Sequence, residues 1–396
     1  MAGRPNLLVI VTDQQRTDTV GCLGGRHIAT PALDALAARG ILFRRAYTPI
    51  PICSPARGSL WTGLLPNAHG VEDNVYGVPD ALRGIPTLFA PLRAAGYRLG
   101  YIGKWHLGEA DPGLFDLWEG YNSLWPQWIV APDGGRSYRS FVETDAAMRW
   151  LGAQDGAAPF CLVVSYYPPH PPYDPPAEHR ARAAGSPNPG YFGAAAAIDD
   201  CVGRLLAALD ASPHGPGTAV LFCADHAQLL EPRDGPNPKR NLYEGTLRIP
   251  MMLALPGGRA AGTAVDGLVG LLDVAPTLLE LAGAAALAPC HGASLLPFAE
   301  RPDPPWRDGL LVQNATRAGR DGERSGRRER GLVAPDAKLV VAERRFPALY
   351  DLVADPDERR NLLAGPEPAT ARARDLAGRM RTLATEAGDR IGIAAA

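Results

Sequence analysis

The chain has 396 residues and a mass of 42.0 kDa, enough for two to three domains at roughly 150 residues each. Hydrophobic residues make up 46% and charged residues 21%, which excludes an intrinsically disordered chain; 40 basic against 42 acidic residues exclude a polyanion-coating protein. No stretch reaches the ~20 uncharged apolar residues of a membrane span, and 44 Gly with 39 Pro predict many turns.

From the N-terminus, Leu7–Val11 is apolar without polar alternation, the pattern of a strand buried on both faces. The run is too short for a signal peptide and no small-residue cleavage site follows, so a cytoplasmic protein is expected. Thr30-Pro31-Ala32 opens a helix with an N-cap hydroxyl and an early proline, and Gly40 closes it. A second helix runs from Pro86 or Thr87 to about Gly96. Buried strands are predicted at Tyr97–Ile102 and Phe160–Tyr166, followed by an Ala- and Leu-rich helix over Ala194–Leu209. Strands at Ala219–Cys223 and Pro250–Leu255 and a helix over Asp273–Leu281, stopped at Gly283, complete the series. Strands alternating with helices predict an α/β fold, a large mainly parallel sheet flanked by helices.

Pro302–Pro305 breaks this pattern, and residues 1–305 are read as one α/β catalytic domain. Beyond it, Arg317–Arg330 reads as an exposed charged loop. Gly331–Ala334 and Lys338–Val341 read as strands around a turn at Pro335-Asp336-Ala337, and Ala369–Ala384 as a terminal helix. Residues 306–396 are therefore expected to form a small C-terminal antiparallel α+β subdomain.

Ligands of parallel sheets collect beyond the carboxyl ends of the strands. Asp13, then Lys104 and His106, then His170, then Asp225 and His226 each follow a predicted strand, which points to one site. Asp13, Gln14, Asp225 and His226 offer mainly oxygen donors, suited to a hard divalent cation such as Ca²⁺, Mg²⁺ or Mn²⁺. Arg57, Lys104, His106, His170 and Lys239 add cations, and a metal plus several cations calls for an anionic substrate such as a sulfate or phosphate ester. Six scattered cysteines form no framework, and Cys161 and Cys223 read as small core residues. Cys53 differs, because Pro55 places it near a helix N-terminus, where the dipole favours a thiolate.

The segment Cys53-Ser54-Pro55-Ala56-Arg57-Gly58-Ser59-Leu60-Trp61-Thr62-Gly63 resembles the C-x-P-x-R-x4-T-G signature of the type I, formylglycine-dependent sulfatases of the alkaline phosphatase superfamily. Asn6–Asp13, His69-Gly70-Val71 with Asn74, Gly103–Gly108 (GKWHLG), Pro169–Tyr173, Ala224–His226, Lys239–Pro250 and Leu349–Leu352 resemble further family segments in the same order. The resemblance implies an alkaline phosphatase-like fold and conversion of Cys53 to formylglycine by a formylglycine-generating enzyme or equivalent. It implies one divalent cation, Ca²⁺ first, held by Asp13, Gln14, Cys53, Asp225 and His226. It implies catalytic roles for Cys53, Arg57, Lys104, His106, His170 and Lys239, and substrate contacts from Asn74, Lys104, His170 and Lys239. The implied reaction is hydrolysis of a sulfate ester to sulfate and an alcohol.

Three departures bear on this. Asp13-Gln14 stands where the family often has two aspartates, which removes one negative charge. Ala227 stands where a glycine usually follows the second metal pair, and Glu231–Pro238 is unlike the usual sequence before the lysine. The Asp-Gln pattern also resembles the phosphonate monoester hydrolase branch, so a phosphonate monoester hydrolase or phosphodiesterase is the alternative. An inactive anion-binding homologue is the alternative of another class. The variable segments Glu109–Arg139 and Pro175–Gly190 are candidates for shaping the alcohol pocket, with Trp105, Trp125, Trp128 and Tyr173 as candidate lining. No nucleic-acid or membrane partner is expected, and His69 and His291 are assigned no role.

Overall fold

The computed structural model describes residues 3–123, 126–231, 233, 239–315, 328–343, 345–365 and 370–389. Eight strands form one sheet in the spatial order Thr263–Val265, Ile41–Phe43, Met251–Ala254, Thr218–Ala224, Asn6–Thr12, Phe160–Tyr166, Arg98–Lys104, Leu117–Tyr121. Every neighbouring pair is parallel except those made by Met251–Ala254, which runs against both its neighbours. The predicted Pro250–Leu255 strand is thus present, but its direction was not written in its apolar pattern.

The central strands are apolar throughout because both sheet faces are covered. Along Asn6–Thr12, Leu7, Val9 and Val11 enter one core while Leu8 and Ile10 enter the other. The first core takes Ala56, Leu60 and Trp61 of the Cys53–Thr62 helix and Val274, Ala275 and Leu278 of the Val274–Ala282 helix. The second takes Leu33 and Leu36 of Pro31–Ala38, Ala147 and Leu151 of Arg139–Gly152, and Val202 and Leu205 of Pro189–Asp210. Gly283 ends the Val274–Ala282 helix in the left-handed region at φ 56°, as its position requires. At Thr30 the expected side-chain cap is not made: Asp199 takes the N–H groups of Ala32 and Leu33, and the Thr30 hydroxyl accepts from Gly21 instead.

A second, four-stranded antiparallel sheet runs Leu310–Ala315, Arg328–Val333, Ala337–Ala342, Arg345–Asp351. The Thr370–Glu386 helix packs Leu376, Ala377 and Met380 onto its Leu332, Leu339 and Leu349. Most of the Arg317–Arg330 segment, as well as Ala369 and Trp125, lies outside the described residues. Among the described residues no helix is long and apolar enough to cross a membrane.

Candidate active site

Parallel pairing brings the carboxyl ends of Asn6–Thr12, Phe160–Tyr166, Arg98–Lys104 and Thr218–Ala224 to one edge of the sheet. Asp13, Lys104, His106, His170, Asp225 and His226 gather there. Cys53 is the first residue of the Cys53–Thr62 helix, after the extended Ile52. Asn74 lends that helix its cap: the Ser54 N–H donates to Asn74 Oδ1 at 3.1 Å. What Asn74 has left to offer a ligand is its Nδ2 amide.

Asp13, Cys53, Asp225 and His226 are all buried, and one donor atom from each lies within 4.8 Å of the others. His226 Nδ1 is 2.8 Å from the Ala227 carbonyl, so this nitrogen carries a proton, and Nε2 offers its lone pair when the ring is neutral. That Nε2 lies 3.2 Å from Cys53 Sγ. The Gln14 N–H donates to Asp225 Oδ1 at 3.2 Å, and Gln14 Oε1 is buried with no hydrogen-bond partner. Two carboxylates, an unspent amide oxygen and an imidazole lone pair fit a hard divalent cation. Gln14, His106 and Arg240 hold left-handed backbones, at φ 62°, 58° and 65°, a strain that ordinary residues bear chiefly at functional sites.

Arg57 lies entirely inside the protein. Its Nε donates to Asp225 Oδ2 at 3.0 Å and its Nη2 to Asp13 Oδ2 at 3.3 Å, while Nη1 donates to the Lys104 carbonyl at 2.6 Å and to Ser165 Oγ at 2.8 Å. The guanidinium is spent on protein groups, which makes it a clamp on the two carboxylates. Lys104 Nζ pairs with Asp13 Oδ2, and Lys239 Nζ donates to Cys53 Sγ at 3.3 Å. Gly103, at φ 100°, lets this strand end approach its neighbour: an added Cβ would sit 2.1 Å from the Ser165 carbonyl.

The electrostatics follow from this crowding. Burial alone would push the Cys53 thiol up, but Lys104, Lys239 and His226 hold it well below its ordinary value. Burial and the Lys104 ammonium push His106 down to about 3. Both His106 ring nitrogens are buried, and neither makes a hydrogen bond of ordinary geometry. Burial also lowers His170, against the pull of Asp13. Lys239 is raised, because Cys53 and Asp13 outweigh its burial. Burial and Cys53 work to raise Asp13, yet Lys104, His170 and Arg57 hold it below the usual carboxylate range, while burial and Asp13 raise Asp225.

Some residues here escaped the sequence reading. Tyr167 stacks on His170 with ring centroids 4.6 Å apart and lies 4.8 Å from Lys104 Nζ, so it braces two site residues. It directly follows the Phe160–Tyr166 strand, and the strand-end rule that found His170 would have found it too. Ser165 and Asp73, which pairs with Arg240 at 2.8 Å, carried no such signal. Trp105 belongs to the core with Tyr101 and Phe89. His69 bonds Ser59 at 3.1 Å and His291 accepts from Leu65 at 3.0 Å, both structural contacts. Within Glu231–Pro238, residues 232 and 234–238 lie outside the described residues.

A mainly parallel sheet with a buried cysteine, two buried carboxylates and clustered cations at its carboxyl edge fits a hydrolase of the alkaline phosphatase superfamily. The sulfatase family model matches residues 5–284, and the model for the C-terminal part of N-sulphoglucosamine sulphohydrolase matches residues 235–386. The chain belongs to the sulfatase family and is a sulfuric ester hydrolase by class. It is 29% identical to an ulvan-active sulfatase of Formosa agariphila over 98% of this chain and 82% of that protein. In fold it is similar to BT4656, solved with its substrate D-glucosamine-2-N,6-O-disulfate, at TM-score 0.82 and 22% identity over 99% of both chains. It is also similar in fold to the phosphonate monoester hydrolase of Agrobacterium radiobacter, at TM-score 0.77 and 24% identity over 97% of this chain and 96% of that one.

Proposed function

We propose that the protein hydrolyses a sulfate ester of a small anionic substrate through a formylglycine made from Cys53, with one divalent cation. The observation that carries this reading is Cys53 itself: buried at a helix start, with Asp13, Asp225 and His226 donor atoms within 4.8 Å and the Lys239 ammonium at 3.3 Å. In this reading the Cys53 sulfur stands where the oxygens of the hydrated aldehyde would be. Asp13, Gln14, Asp225 and His226 would hold the cation, with position 53 beside it, and Ca²⁺ is the family's first choice. The hydrated aldehyde and cation together supply an activated oxygen nucleophile and a built-in route for sulfate release.

The protein's own groups then divide the work. Arg57 is a positioning residue that fixes Asp13 and Asp225. Lys104 and Lys239 bracket position 53 and neutralise the charge of an anionic ester. In this reading His106 takes the proton of the aldehyde hydrate, against the burial and the Lys104 ammonium that disfavour its charged form. His170 and Lys239, both beside position 53, are the two candidates to give the leaving oxygen its proton. Asn74 contributes its free amide to the substrate side. We read residues 306–396 as a C-terminal subdomain; among its described residues, Asn314 backs the Lys239 segment by donating from Nδ2 to the Arg240 carbonyl at 2.8 Å.

Asp13-Gln14 together with Asp225-His226 favours a second reading, a phosphonate monoester hydrolase or phosphodiesterase. Sulfate monoesters, phosphate diesters and phosphonate monoesters all carry one negative charge, so charge alone does not separate them. Parallel assay of an aryl sulfate, a phosphate diester and a phosphonate monoester does. The sulfatase reading expects the highest kcat/KM on the sulfate, and a higher value on either phosphorus ester replaces it. Metal or anion binding without turnover of any of the three would leave an inactive anion-binding homologue.

A further inference from the structure

The Asp13–Arg16 stretch leaves the Asn6–Thr12 strand without regular structure, so its buried backbone groups need partners from elsewhere. Tyr191 serves two of them. Its hydroxyl donates to the Gln14 carbonyl at 2.7 Å and accepts from the Arg16 N–H at 2.9 Å. One buried oxygen thus closes the turn around Gln15. Gln14 sits in that turn at φ 62°, a conformation an ordinary residue keeps only where its surroundings impose it.

Tyr191 is rigid enough to impose it. It lies in the first turn of the 22-residue Pro189–Asp210 helix, where the Asn188 cap accepts from the Tyr191 N–H at 3.0 Å. Its ring is closed to solvent and packs edge-on against Tyr173 and Phe192, with centroids 5.6 and 5.5 Å away. Tyr173 belongs to the loop that carries His170, and its hydroxyl accepts at 2.6 Å from Gln228 Nε2, two residues beyond His226. Arg16 Nη1 in turn donates to the Gln228 carbonyl at 2.9 Å. The helix start therefore stands where the segments of Gln14, His170 and His226 meet.

For Gln14 the result is specific. Its carbonyl is held by Tyr191 and its N–H by Asp225 Oδ1, while its side-chain Oε1 stays buried and unpartnered. An amide oxygen has no net charge to draw a cation, so its contribution depends on being placed beforehand. We propose that Tyr191 is a positioning residue for the cation: its hydroxyl holds Gln14 in the left-handed conformation from which the side-chain oxygen serves as a ligand. The inference rests on the reading of Asp13, Gln14, Asp225 and His226 as the cation site.

The test is calorimetric titration of Ca²⁺ into chelator-stripped wild type, Tyr191→Phe, Gln14→Ala and the Gln14→Ala/Tyr191→Phe double variant. Phenylalanine keeps the ring and removes only the hydroxyl. Tyr191→Phe is expected to weaken Ca²⁺ binding roughly tenfold, the lower end of what losing a group that orients a ligand costs. On the Gln14→Ala background no amide oxygen remains to be placed, and the same substitution should change affinity less than about twofold. A loss of equal size on both backgrounds means that Tyr191 acts through other residues of the site, and overturns the proposal. Unchanged affinity in Tyr191→Phe, or in Gln14→Ala, overturns it as well.

A stability arm covers the case in which Tyr191→Phe folds poorly. In cation-free protein Tyr191→Phe should lower the urea midpoint less on a Gln14→Gly background than on Gln14→Ala, because glycine takes φ 62° without strain and needs no hydroxyl to hold it. An equal fall on the two backgrounds overturns the proposal. Wild type that binds neither Ca²⁺, Mg²⁺ nor Mn²⁺ sinks the cation reading and the proposal together. Binding by wild type that Tyr191→Phe matches sinks the proposal alone.

Discussion

Arg57 Nε donates to Asp225 Oδ2 at 3.0 Å, with both side chains closed to solvent. Because the same guanidinium also reaches Asp13, it fixes the two carboxylates of the proposed cation site relative to each other. Lysine at this position would keep the charge but lose the planar fork. Arg57→Lys is therefore expected to weaken divalent-cation affinity on the order of 10–100-fold, the usual cost of removing a group that orients a ligand. Calorimetric titration of the cation measures it, and unchanged affinity would show that the carboxylates hold their places without the clamp.

Removal of the cation should act on stability as well as turnover. Asp13 and Asp225 are buried side by side, and a bound cation would relieve the repulsion that raises Asp225. Dialysis against a chelator is expected to abolish turnover and lower Tm, and returning Ca²⁺ to restore both. Full activity in a preparation shown by elemental analysis to be metal-free would end the cation's role.

The segment that carries Lys239 is fastened from behind by a buried ion cluster. Lys338 Nζ lies 2.6 Å from Glu358 Oε1 and 3.1 Å from Glu244 Oε1, and the Glu244 N–H donates to Glu358 Oε2 at 2.6 Å. Lys338→Met strands two carboxylates and is expected to cost about 3–5 kcal/mol in urea unfolding. Adding Glu358→Gln should recover part of that loss. A silent single variant would mean the cluster contributes nothing to the fold.

Glu143, on the Arg139–Gly152 helix, accepts from the Tyr121 hydroxyl at 3.2 Å and is pushed up to about 8 by burial, against the pull of Arg139. Its carboxyl stays protonated in the folded protein at a pH where the unfolded chain has ionised. Its contribution is complete below pH 4.5, and stability falls as pH rises from there to about 8. Glu143→Gln should flatten this fall in denaturation curves taken across that range. An unchanged pH profile would place the Glu143 ionisation at its ordinary value.

The central strands were legible because burial on both faces removes polar alternation, so Leu7–Val11 and Phe160–Tyr166 stand out. The outlying strands were not. Thr263–Val265 and Ile41–Phe43 are too short to show a period, and Leu117–Tyr121 mixes Glu119 and Gly120 with its aromatics. The antiparallel sense of Met251–Ala254 depends on chain routing, which no local pattern records. At the site, residue type and strand-end position revealed Asp13, His106 and Asp225. The clamping geometry of Arg57 and the unspent oxygen of Gln14 exist only once distant segments meet.

The proposed chemistry depends first on the chemical state of residue 53. Conversion of the Cys53 side chain from CH₂SH to CHO removes roughly 18 Da, a covalent change that mass spectrometry of the peptide carrying it reads directly. In catalytically active protein the peptide is expected at the lighter mass, or as its hydrate. An active preparation in which position 53 is entirely unmodified cysteine would contradict it.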